Sequence, residues 1–294
     1  MLKRLFPSLA IAVALIVLSA PLASAGLRDD LPSCYAAEHI RPAAGTSYSN
    51  LVYVLVDQTV AWNPQLERQI IDSANNLMRP GTKFVVAEFS AFSQGRYLQV
   101  LHTGIYEKKM PASQRNNTPI TKLSSFAGCM RKQAQYAAEL LDGSIVEAVK
   151  GSSASLDQSD IFTALRTVSA AIRQSRARHK VLIVASDGLE NSAITSFYGA
   201  GTVRIINPAA EIQKAEKADA MSNFGGARAY FIGGALMPPA THGSLAARNG
   251  YRNPLVLRAL STFWHEYFAK SDADLVEFGE PSLVMPTSYG SSSK

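Results

Sequence analysis

Leu51-Val52-Tyr53-Val54-Leu55-Val56-Asp57 is an unbroken apolar run that ends on a carboxylate. A run of this length without polar alternation suits a strand buried on both faces of a parallel sheet. The signature returns at Lys180-Val181-Leu182-Ile183-Val184-Ala185-Ser186-Asp187-Gly188. Helical spacing fills the chain between them. Asn63-Pro64 opens a helix, with Asn as cap and Pro at the first helical position, and Leu66, Ile70, Ala74 and Leu77 form its apolar stripe. Pro80-Gly81 closes it. Residues 83–89 and 97–106 read as strands joined by a turn around Ser93-Gln94-Gly95, too short for a crossover helix, so they are expected to run antiparallel. Residues 107–122 read as a polar loop. Residues 126–149 read as a long Ala-rich helix with Gly143 as a place for a bend, and 150–157 as a Gly/Ser loop. Ile161, Leu165, Val168 and Ile172 recur at helical spacing. Beyond the second apolar run, the pattern gives a helix from Asn207-Pro208 to about Phe224, a strand at 229–233, a loop at 236–253, a helix at 255–269 and a short strand at 275–278. Strands alternating with helices imply an open, mostly parallel α/β sheet, doubly wound with helices on both faces and one antiparallel edge strand.

In such a sheet, ligands bind beyond the carboxyl ends of the strands, where strand order reverses. Asp57 and Asp187 both end apolar strands. A bare carboxylate there is costly unless hydrogen-bonded, paired or bound to a cation. Thr59 and Ser186 place hydroxyls nearby, and Ser159-Asp160 stands before a helix, near its positive dipole end. Carboxylate, hydroxyl and water oxygens suit a hard cation such as Mg²⁺. Alternatively, the two carboxylates simply cap strand ends through backbone N–H groups.

Three motifs carry a family resemblance. Asp57-Gln58-Thr59-Val60-Ala61 resembles the Asp-x-Ser-x-Ser motif of von Willebrand factor A (vWA) domains. Ser159-Asp160-Ile161-Phe162-Thr163-Ala164-Leu165 resembles their second, Thr-bearing motif, and Ser186-Asp187-Gly188 their third. The likeness spans roughly residues 50–280. It implies a vWA/Rossmann-like sheet with a metal-ion-dependent adhesion site, where a cation keeps one position open for an acidic side chain of a partner protein. On that resemblance Asp57, Thr59, Ser159 and Asp187 take the metal-site roles, with Asp160, Ser186 and Gly188 in supporting or partner-contact positions. Ala61 departs from the pattern: the family has a second Ser there, and Ala offers no oxygen. The implied Mg²⁺ site is therefore degenerate.

The N-terminus reads as a secretory signal peptide. Lys3-Arg4 precedes an apolar run at Leu9–Leu18, then Pro21 and Ala23-Ser24-Ala25, predicting cleavage after Ala25. The run is short for a permanent membrane helix, an uncleaved anchor being the alternative. The expected organisation is a signal peptide at 1–25, an irregular arm at 26–49, a vWA-like domain at 50–285 and a flexible tail at 286–294. The protein is expected in the periplasm or secreted, with no stable transmembrane anchor. Cys34 and Cys129 read as a disulfide suited to that compartment, with two buried free thiols as the alternative.

The 294-residue chain carries a formal net charge of +6. Its basic residues are scattered rather than gathered on one face, which argues against nucleic acid. His39, His102, His179, His242 and His265 show no metal-ligand spacing, and there is no Gly-x-Ser-x-Gly elbow or phosphate loop. Phe263-Trp264 and Tyr267-Phe268 read as core packing. Asn116-Asn117-Thr118 fits a glycosylation acceptor, a pattern common by chance.

Three functions follow, in order. The first is an exported, non-enzymatic protein-binding module working through a cation. The second is a metal-free structural or assembly component of the cell envelope. The third is a hydrolase at the same switch point, which lacks a nearby histidine base.

Overall fold

β1 (Asn50–Asp57) lies inside a six-stranded sheet and is buried along its whole length. The structure, a computed structural model, describes residues 29–43, 47–90, 98–153, 158–199, 202–236 and 253–290. β1 is followed by α2 (Pro64–Asn75), whose Asn63 cap accepts the backbone N–H groups of Gln65 and Leu66; a one-turn helix, α1 (Cys34–Ala37), precedes it. Next come β2 (Thr82–Phe89), β3 (Leu98–Tyr106), the short α3 (Ala112–Arg115), α4 (Ile120–Lys150) and α5 (Ile161–Gln174). β4 (His179–Ala185) leads through a two-residue hairpin pair, β5 (Tyr198–Gly199) and β6 (Thr202–Val203), into α6 (Pro208–Lys217). β7 (Ala227–Ile232), α7 (Pro254–Lys270) and β8 (Ala273–Phe278) finish the fold.

Strand order is β3-β2-β1-β4-β7-β8, with every neighbouring pair parallel except β2 and β3. The chain builds outward from β1 through β2 to β3, then returns to the other side of β1 and builds outward again. The point where it reverses lies between β1 and β4. Alternation along β1 assigns the two faces. Leu51, Tyr53 and Leu55 join one core with Phe162 and Leu165 of α5, Ile212 of α6 and the aromatic cluster of α7. Val52, Val54 and Val56 join the other with Leu66 and Ile70 of α2 and Leu141 and Ile145 of α4. Helices thus cover both faces, which explains why β1 and β4 carry no polar alternation. Phe263, Trp264, Tyr267 and Phe268 are all fully buried, and Phe162 stacks on Tyr267 with ring centroids 5.4 Å apart.

Cys34 and Cys129 form a disulfide across 95 positions of sequence. It fastens α1 to α4 and centres a small satellite core of Tyr35, Ile40, Met110, Phe126 and Met130. Glu107 completes the junction by accepting the Ser33 hydroxyl (2.6 Å) and the Cys34 N–H (2.8 Å).

Several boundaries differ from the sequence reading. The expected loop at 107–122 contains α3 and the first residues of α4, because Pro119 suits a helix start better than the middle of a loop. α4 passes through Gly143 unbroken; that position faces open space, so the absent side chain serves no close approach. α6 ends at Lys217 rather than near Phe224, where Asp219 turns left-handed (φ 53°). Residues 286–290, expected as the start of a flexible tail, run along α2. The Thr287 hydroxyl donates to the Ser73 carbonyl and the Tyr289 hydroxyl to that of Leu77 (2.8 Å), and the Arg79 guanidinium sits 4.2 Å from the Tyr289 ring centre. The expected signal peptide, the expected turn at 93–95, most of the expected loop at 236–253 and residues 291–294 lie outside the described residues. Among the described residues no helix is long and apolar enough to cross a membrane.

Candidate functional site

Asp57 ends β1 at the switch point. The register pairs Val56 with Ala185, so the next residue of each strand, Asp57 and Ser186, stands side by side at the same rim. Both are fully buried. Asp57 Oδ1 accepts the Thr59 N–H (2.9 Å) and the Thr59 hydroxyl (2.7 Å). Asp57 Oδ2 accepts the hydroxyls of Ser159 (2.9 Å) and Ser186 (2.7 Å). One carboxylate therefore collects three hydroxyls from three separate segments. Each part is set locally: Thr59 folds back in the turn after β1, and Ser159 is brought in by reciprocal backbone bonds with Asn191. The Ser186 hydroxyl is fixed by accepting the Gly188 N–H (3.0 Å). The Trp62 indole donates to the Asp57 carbonyl (3.2 Å), closing the turn.

Asp187 follows at once, and its Oδ1 accepts the Leu189 N–H (2.9 Å). The backbone then turns sharply. Gly188 has φ +73°, and a Cβ there would lie 2.8 Å from the Trp264 indole nitrogen, which donates to the Gly188 carbonyl (3.1 Å). Only glycine meets both demands.

The start of α5 borders the same rim. Asp160 caps it by accepting the Thr163 N–H (3.0 Å). Glu190, fully buried, accepts the N–H groups of Ile161 (2.8 Å) and Phe162 (3.1 Å). Side-chain carboxylates thus occupy the exposed N–H groups of the first turn, leaving no vacant anion cradle there.

Charge is concentrated here. Burial raises the Asp57 carboxyl above its ordinary range, opposed by the Thr59 N–H and the three hydroxyls. Asp187 is raised well above its ordinary value by burial and then by the neighbouring Asp57 charge. Glu190 is likewise raised, by burial and by Asp160. The half-buried Tyr198 phenol is pushed up by burial first and then by the charges of Asp187 and Asp57. Two carboxylates packed at one buried rim favour a proton or a cation between them.

The structure brings together Asp57, Thr59, Ser159, Ser186 and Asp187, with Gly188 shaping the turn and Asp160 acting as a helix cap. Asp57 also caps the end of β1 through the Thr59 N–H, whereas Asp187 lies two residues beyond β4 and holds the Leu189 N–H within the turn. Ala61 is exposed and contributes no oxygen. The donor chemistry fits a hard cation: the three hydroxyls spend their protons on Asp57 and keep lone pairs, and Asp187 supplies a second carboxylate. Among the described residues, no group of three or more His, Cys, Asp or Glu is placed to hold a metal, so any such site relies on hydroxyls. His102 pairs with Asp30, His179 packs near Tyr289, and His265 bonds the Ser261 carbonyl. The sequence reading missed Glu190, Tyr198 and Trp62. Glu190 follows Asp187 by three positions, a spacing with no helical or strand meaning in a turn. Tyr198 arrives only through the small hairpin.

No protein-family model matches the chain. No curated protein matches it. Among solved structures, the chain is similar to an aerotolerance-related membrane protein from Bacteroides fragilis NCTC 9343, crystallised with multiple mutations to serines. The identity is 10%, the match covers 72% of this chain and 87% of that one, and the TM-score is 0.31.

Proposed function

We propose that the chain is an exported protein-binding module of vWA type, which docks an acidic side chain of a partner protein at the β1–β4 switch point. The observation that supports it most is the convergence of the Thr59, Ser159 and Ser186 hydroxyls on the Asp57 carboxylate beside Asp187. A divalent cation bound there would offset the paired negative charge and offer a partner carboxylate an open coordination position. Thr59, Ser159, Asp57 and Asp187 would hold it, Ser186 would fix Asp57, and water would fill the place left by Ala61. Export is supported by the signal-like N-terminus and by the disulfide, which persists in oxidising compartments.

Calorimetric titration with Mg²⁺ or Mn²⁺ tests this. One saturable site is expected. Ser159→Ala should weaken it about 10–100-fold, and Ala61→Ser, at an exposed position, should strengthen it. Heatless titrations at millimolar metal, with the protein folded, would remove the cation-dependent reading.

A second reading rests on a specific observation too. Asp57 already accepts four hydrogen bonds from the protein, which offset part of the cost of burying its charge without an ion. The module would then be a metal-free assembly component of the envelope. Capture of an envelope partner that survives chelator would favour it; release by chelator favours the first.

A further inference from the structure

At the end of the sheet opposite Asp57, a pocket of about 640 Å³ opens beside the disulfide-stapled satellite core. Its location follows from register: Tyr106 on its wall pairs with Thr82 at the start of β2, whereas Asp57 pairs with Phe89 at the end of β2. The walls are the ring of Tyr106, Met110, and the Leu123, Phe126, Ala127 and Met130 side chains from one face of α4. Lys109, Arg115 and Arg131 also line it, all three exposed. No ion pair involves these three cations among the described residues. An Arg131 guanidinium nitrogen lies 3.9 Å from where a Cβ on Gly128 would stand, so the side chain folds back along α4.

We infer that this pocket binds a single-chain amphiphile with an acidic head, of the long-chain fatty-acid class. The volume falls within the roughly 300–1,000 Å³ typical of small-molecule sites. Two methionines, flexible and polarisable, suit a chain of variable shape. The cations around it complement a carboxylate. The wall chemistry favours an alkyl chain over a peptide. Most of the wall is one helix face, whose backbone N–H and C=O groups are spent within α4. A peptide laid there would bury its own polar backbone without partners, a cost that an alkyl chain does not carry. The inference is independent of the Asp57 site and stands or falls apart from it.

The test is a fluorescence titration of the full chain with cis-parinaric acid below its micellar concentration, followed by displacement with palmitate or methyl palmitate. A saturable one-site rise is expected. Palmitate should displace the probe, and the uncharged ester should do so about tenfold less well, the scale of one charge-assisted hydrogen bond. Arg115→Ala and Arg131→Ala, both exposed, should weaken probe binding by a similar factor. Ala127→Trp, also exposed, should fill the pocket and abolish binding while the circular dichroism spectrum stays unchanged. A non-saturable signal, equal displacement by acid and ester, or undiminished binding in folded Ala127→Trp would overturn the inference.

Discussion

Asp187 is buried beside another carboxylate, and that placement has a signed consequence for stability. Its folded-state value is raised, by burial first and by Asp57 second. Such a group contributes stability that is fully present below the unfolded value, about 3.9, and is lost as pH rises through the folded value. In chelator, urea melts of wild type and Asp187→Asn should therefore diverge as pH rises above about 4. The variant keeps an amide oxygen for the Leu189 N–H, so it should gain stability over wild type at neutral pH while losing cation binding. A difference that does not change with pH would mean that Asp187 carries no such charge burden. The neighbouring Gly188→Ala should cost about 1–3 kcal/mol, because its φ is left-handed and its Cβ position meets Trp264. Matched urea unfolding curves measure it. The candidacy of Asp57, Ser159, Ser186 and Asp187 was legible in sequence because each sits near the end or start of a strongly patterned element. Glu190 and Tyr198 were not, since turns and two-residue hairpins impose no period that marks a residue as facing the site.

At the scale of elements, the disulfide joins α1 to α4 and closes a long loop between positions separated by 95. The chain-entropy model gives about 4–5 kcal/mol for such a closure. A Cys34→Ser/Cys129→Ser double variant should lose about that much in urea unfolding, with wild type under reductant behaving alike. A loss under about 1 kcal/mol would show that the Glu107 bonds and the satellite core hold the arm unaided. β1 could be read to within a residue and β4 at its start, because burial on both faces leaves an unbroken apolar run, but β4 ends at Ala185 rather than on Asp187. Helix ends were harder. The close of α6 depends on the left-handed Asp219, and the docking of 286–290 depends on single side chains meeting the Ser73 and Leu77 carbonyls. Neither leaves a repeating hydrophobic mark. β5 and β6 are too short to show any period at all.

For the whole molecule, the decisive feature is topological. Strand order reverses between β1 and β4, where β1 ends on Asp57 and β4 gives way to Ser186 and Asp187. Sequence pattern alone fixed the alternating elements, but the meeting of Asp57 with Ser159 and Ser186, more than 100 residues away in chain order, required the fold. The apolar pocket lies at the opposite rim, so the molecule presents two chemically different ends: an acidic, hydroxyl-lined one and a cation-rimmed apolar one. Occupancy of one should leave the other unaffected. Anomalous diffraction from crystals soaked in Mn²⁺ interrogates the acidic end directly. A single peak within coordination distance of the Thr59 and Ser159 hydroxyls, between Asp57 and Asp187, is the expected result. A map with no peak there at saturating Mn²⁺, or with the two carboxyl groups turned apart, would contradict it.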